Sequence, residues 1–231
     1  MASTAATITT TEPLASPGAP SQPMDPLYLQ PTPALDSDHP EVIAWARAHA
    51  RGEDPLELAV SLYYAVRDGF RYNPWNIYMT PEHFVASAVL RRDPSHGAHC
   101  IDKAIVLAAC ARVLGIPSRL HFANVRNHIG TGDLEQKLGT DLMVYHGYCE
   151  LWIDERWVAA TPAFNRELCE RLGVAPLEFD GREDSVFQEY DAGTRRFMEY
   201  VDDHGAHADL PFEDMVAAWR HHYRGFARDL G

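Results

Sequence analysis

Cys100 and His146 are the two residues of this 231-residue chain whose types and settings together permit covalent acyl chemistry. Cys100 follows the irregular stretch RRDPSHGAH and opens CIDKAIVLAACARVLG, an apolar run that reads as a helix. The first amides of a helix are unpaired and carry partial positive charge, so a thiolate there is stabilised and its pKa is expected to fall. The same amides can hold the oxyanion of a tetrahedral intermediate, and Lys103 is near enough in sequence to add to the field. His146, in LMVYHGYCELWI, is a suitable base for such a sulfur. Each residue also has a plainer reading by itself. Free cysteines are among the most buried residues, and a lone histidine in a strand is often a hydrogen-bonded structural group.

The elements that must position this pair follow from pattern. Pro40 before EVIAWARAHARG, and Pro55 before LELAVSLYYAVRDG, open two helices closed by Gly52 and Gly69. Thr80-Pro81-Glu82 opens a third that runs to about Leu90. The run from Cys100 is apolar on nearly every face, which predicts a buried helix, ended by Gly115 and Pro117. SRLHFANV reads as a strand, residues 127–140 as a polar loop able to act as a lid, and LMVYHGYCELWI with WVAATP as a hairpin turning at Asp154-Glu155. Asn165 is placed to cap a short helix, RELCERL, and the chain ends in a helix from Pro211 to about Arg228. Helices segregated from strands predict an α+β fold. Residues 1–26 are poor in charge and large apolar groups and read as a disordered tail, with one domain over 27–231 and a helical C-terminal extension.

Within the hairpin, alternation puts His146, Tyr148 and Glu150 on one face and Gly147, Cys149 and Leu151 on the other. A two-residue turn pairs 146 with 163 and 148 with 161, which makes Thr161 a diagonal neighbour of His146, although Asp-Glu is not a favoured turn pair. Glu150 lies ~13 Å along the strand and reads as structural. Cys110 and Cys149 read as core, and His204, His207, His221 and His222 as solvated surface.

Composition narrows the function. Asp and Glu outnumber Lys and Arg by 33 to 20, for a formal charge of −13, which disfavours nucleic acid as a partner. No apolar run approaches the ~18 residues a membrane span requires. Four cysteines without CxxC, and an N-terminus with no Lys or Arg before Arg47, point to free thiols and the cytoplasm. His96 and His99 lack HExxH or a carboxylate at helical spacing, so no metal is expected, nor any cofactor.

GAHCIDKAIVLAACARVLGIPSR resembles the cysteine segment of the transglutaminase-like superfamily, bacterial-type, and HGYCELWIDERWVAATP resembles its histidine hairpin, over a core of about residues 58–165. The resemblance implies a papain/transglutaminase-like fold in which a buried helix carrying the nucleophile packs on an antiparallel sheet. It implies a Cys100–His146 couple acting on a carboxamide, peptide or ester carbonyl, with hydrolysis or acyl transfer to an amine as the outcome. The substrate would be a protein, a peptide or a small amide. Where the family has an Asp before the closing Pro, this chain has Thr161, which can orient the imidazole without adding charge. Asn165 is a second candidate orienter, and Trp75 and His99 are candidate oxyanion or substrate-wall groups. The uncharged third member leaves a second expectation open, an inactive binding or scaffold protein that keeps the fold.

Overall fold

The computed structural model describes residues 25–75, 78–127, 136, 138–186 and 198–223. The expected N-terminal tail, most of the polar loop and the end of the C-terminal helix therefore lie largely outside the described residues.

The proline-led starts produce α1 (Pro40–His49) and α2 (Pro55–Gly69). Asp54 caps α2 by accepting the Glu57 amide at 2.8 Å. The single helix expected from Thr80 to Leu90 is broken instead into a 3-10 turn, Pro81–Phe84, and α3 (Ala86–Arg91), with Val85 extended between them. The cause is tertiary. The amide of Ala86 donates to Ala34 O at 2.9 Å and that of Ser87 to Asp36 Oδ1 at 3.0 Å, so α3 takes its first partners from an earlier segment.

The buried helix is α4 (Cys100–Val113), with every residue from Cys100 to Arg112 buried. Two of those residues are cations with defined partners. Lys103 donates to the carbonyls of Arg67, Phe70 and Ala163 at 2.8–2.9 Å. Arg112 reaches the carbonyls of Gln30, Ser118 and Ala208. Buried charges persist only when satisfied in this way.

Four antiparallel strands complete the core: β1 (Ser118–Asn127), β2 (Leu142–Ile153), β3 (Arg156–Ala160) and β4 (Met198–His207), in the order β3-β2-β1-β4. Helix α4 packs across β2 and β1. The architecture is the expected α+β one, a cysteine-bearing helix against an antiparallel sheet. Asp154 and Glu155 turn the hairpin with φ of 49° and 62°, which gives a two-residue loop and the pairs Cys149–Ala160 to Ile153–Arg156. Pairing stops at Ala160, and Thr161 N donates to Ser185 O at 2.9 Å rather than joining the ladder. Strand β4 was not expected from the sequence. His204 and His207 belong to it and are half-buried, bonded to Asn124 and to the carbonyl of residue 204, which corrects their reading as solvated surface. Two helices follow the hairpin and β4: α5 (Arg166–Leu172) and α6 (Phe212–His222).

Candidate active site

Cys100 is the first residue of α4, and His99 is its N-cap. His99 Nδ1 accepts the Asp102 amide at 3.2 Å, and the Asp102 carboxylate accepts the His99 amide at 3.1 Å. This is a capping box with histidine in the position usually held by Ser or Thr. Arg92 clamps the same carboxylate at 2.8 Å. The start of the helix is thus held before any substrate arrives.

The backbone just ahead of His146 is irregular. The register between β1 and β2 shifts between Ala123 and Val125, and Tyr145 carries a φ of 56°. The freed groups of this bulge go to side chains. Val144 N donates to Tyr223 Oη at 2.6 Å, Val144 O accepts from Trp219 Nε1 at 2.9 Å, and Tyr145 N donates to Asn124 Oδ1 at 3.0 Å. A bulge bends and twists its strand, and here it lies where the strand delivers the imidazole. Beyond it alternation resumes. Gly147 faces Ile101 of α4 so closely that a Cβ would sit 3.1 Å from Ile101 Cγ1, while Tyr148 stacks on His121 across the sheet.

Cys100, His146 and His99 line one cavity of about 50 Å³, walled by Tyr72, Trp219 and Tyr223. That is far below the ~300 Å³ of an ordinary small-molecule pocket, so the site is narrow. Burial dominates its electrostatics. It pushes the Cys100 thiol up to about 11, even though the amides of Gly147 and Ile101 point at the sulfur and oppose the rise. Burial takes His146 down to about 3, with the nearby His99 acting in the same direction. The lowered thiol pKa expected from the helix terminus is therefore corrected: the dipole is present, but desolvation outweighs it. Lys103, also expected to help, is turned away into its three carbonyls, and burial takes it down to about 7.

The other sequence candidates lie elsewhere. Thr161 is buried, but its Oγ1 forms no hydrogen bond among the described residues, so the imidazole–hydroxyl bond suggested by the register is not made. Asn165 occupies the N-cap position of α5 without capping it. Its Oδ1 instead accepts the Tyr72 amide at 3.0 Å and holds a wall of the cavity. Trp75 is 41% exposed and does not line the cavity, although Pro74 does. The walls Tyr72, Trp219 and Tyr223 were missed in the sequence. The i, i+4 spacing of Trp219, on α6, and Tyr223, at its C-cap, was the available signal. Among the described residues no cluster of His, Cys, Asp or Glu could hold a metal ion, and no helix is long and apolar enough to cross a membrane.

The Transglutaminase-like superfamily profile matches residues 43–162, just over half of the chain. No curated protein matches it. A solved structure of a candidate cysteine protease from Cytophaga hutchinsonii is similar at 15% identity and a TM-score of 0.43, covering 78% of this chain and 53% of that one. The chain thus spans about half the length of that structure. With its cysteine opening a buried helix and its histidine on the adjoining strand, the chain belongs to the transglutaminase-like superfamily.

Proposed function

We propose that the protein is a thiol enzyme in which Cys100 attacks a carboxamide, peptide or ester carbonyl and His146 serves as its base. The observation that carries this reading is the meeting of Cys100 and His146 in one cavity, with the Gly147 and Ile101 amides directed at the sulfur. In the resting fold burial keeps both groups neutral, so the chemistry begins when substrate brings polarity to the site and the proton moves from sulfur to imidazole. The thiolate then adds to the carbonyl carbon, the leaving group departs with the proton from His146, and water or an amine releases the acyl group. Hydrolysis is the favoured outcome, because transfer has the added requirement of an amine held in a site that keeps water out. Thr161 is the candidate orienter with an uncommitted hydroxyl, whereas the Asn165 oxygen already serves Tyr72.

The narrowness of the cavity and a Thr161 hydroxyl without a partner among the described residues favour a second reading, an inactive binding protein that keeps the fold. Treatment with p-nitrophenyl acetate separates the two. An enzyme releases p-nitrophenolate and carries an acetyl thioester on Cys100, seen by mass spectrometry. That adduct should vanish in Cys100→Ala and form at least tenfold more slowly in His146→Ala. No adduct, or one indifferent to His146, would overturn the enzyme reading.

A further inference from the structure

His99 has a donor that no other described residue uses. Its Nδ1 accepts the Asp102 amide at 3.2 Å, which places the ring proton on Nε2. One face of the ring stacks on Phe84, with centroids 5.6 Å apart. The residue is only 4% exposed, lines the cavity with Cys100 and His146, and its Nε2 meets no hydrogen-bond partner among the described residues. Native interiors rarely strand a buried donor, and such a group at a reactive site calls for a ligand.

We infer that the Nε2–H of His99 is an oxyanion donor of the Cys100 site, aimed at the carbonyl oxygen of the acyl group under attack. The inference rests on the Cys100–His146 reading and adds a catalytic residue to it. When the sulfur lone pair forms the C–S bond, the π pair of the carbonyl moves onto oxygen. That oxygen is then held by His99 Nε2–H together with the first amides of α4, until it collapses and expels the leaving group with its electron pair. A donor to an anion is most useful as a fixed, neutral NH, and His99 suits this: burial lowers its pKa, so the ring stays uncharged. The capping box locks the ring in place, so the cost of orienting the donor is met in folding.

The test separates this role from capping. Asn and Ser both supply a side-chain oxygen for the Asp102 amide, so His99→Asn and His99→Ser retain the cap but lose the ring and, being shorter, place no donor where Nε2 stood. Two reactions at the same sulfur are compared. Acylation by p-nitrophenyl acetate passes through an oxyanion, whereas alkylation by iodoacetamide is a direct displacement with none. The expected result is a fall of about 10²-fold in the ratio of acylation to alkylation in both variants. His99→Gln, whose amide can donate as well as cap, should recover part of the loss. An unchanged ratio overturns the inference, whether both rates persist or both fall together, since a merely structural His99 would affect them alike. Because the ratio is taken within each variant, a partly destabilised protein still reports. If the wild-type protein forms no Cys100 thioester at all, it is the underlying enzyme reading that fails.

Discussion

The phenol oxygen of Tyr223 accepts the amide proton of Val144 at 2.6 Å, two residues ahead of His146. With Trp219 bonded to the carbonyl of the same residue, the end of α6 is latched onto the strand that carries the base and lines the cavity that holds the sulfur. Helix α6 lies outside the residues matched to the family. Removing the phenol oxygen in Tyr223→Phe leaves a buried amide unpaired, at a cost of about 1–3 kcal/mol. The site should also open. Iodoacetamide should label Cys100 several-fold faster than in the wild-type protein, because solvent reaching the thiol lowers the pKa that burial has raised to about 11. Unchanged labelling would show that α6 does not gate the sulfur.

Gly147 is what allows β2 to approach the start of α4. A methyl group there would sit 3.0 Å from Phe122 Cε1, 3.1 Å from Ile101 Cγ1 and 3.4 Å from Ile101 Cα. The first two are side-chain atoms in a packed core, and the third is backbone of the helix turn that holds Cys100. Gly147→Ala should cost about 1–3 kcal/mol by overpacking, measured by denaturant unfolding. It should also slow acylation of Cys100 by pushing the sulfur and its amide donor apart. Full activity with native stability would mean that the strand and helix have slack.

Thr161 separates stability from activity. Its buried hydroxyl has no partner among the described residues, so Thr161→Val removes an unsatisfied group and keeps almost the same shape. Stability should hold or rise by about 1 kcal/mol. If the hydroxyl turns to the imidazolium once His146 takes the proton, acylation should fall about fivefold to tenfold, the worth of one neutral hydrogen bond. A loss of stability without loss of rate would assign Thr161 to packing alone.

Stability should also depend on pH through a cluster on the far face of the sheet. Burial opposes a charged His121, but its bonds to Glu150 at 2.9 Å and Asp203 at 2.7 Å outweigh burial and raise its pKa above 6.5. Glu150, also paired with Arg119, is held below the usual value of 4.5 despite burial. The raised histidine therefore contributes fully below pH 6.5 and loses its contribution as pH climbs through the higher folded value. The stability difference between the wild-type protein and His121→Asn should be greatest below pH 6.5 and shrink as pH rises above it. A difference constant over that range would show that the ring is not charged by its neighbours.

What could be read in the sequence was mostly local. Pro40 and Pro55 mark helix starts by their own chemistry, the all-round apolar run after Cys100 could only be interior, and period-two alternation disclosed the hairpin. The break at Val85 was hidden because its cause is distant, in Ala34 and Asp36. Strand β4 was hidden by Asp202, Asp203 and Gly205, residues tolerated in an edge strand but rare in a central one. The bulge before His146 depends on Tyr223, Trp219 and Asn124, which no window around position 145 contains. The capping box, by contrast, was present in the spacing of His99 and Asp102, and histidine simply replaced the more familiar hydroxyl.

Lys103 carries a consequence for how the protein is made. Its ammonium is satisfied only by carbonyls that stand 36, 33 and 60 residues away, the last of them at Ala163, downstream of the whole hairpin. Two of these carbonyls precede the helix, so its inner cation gains the third and last of them only once the hairpin has been synthesised. A nascent chain that stops before Ala163 lacks that partner, and with it one of the contacts that hold the helix under which Cys100 is shielded in the finished protein.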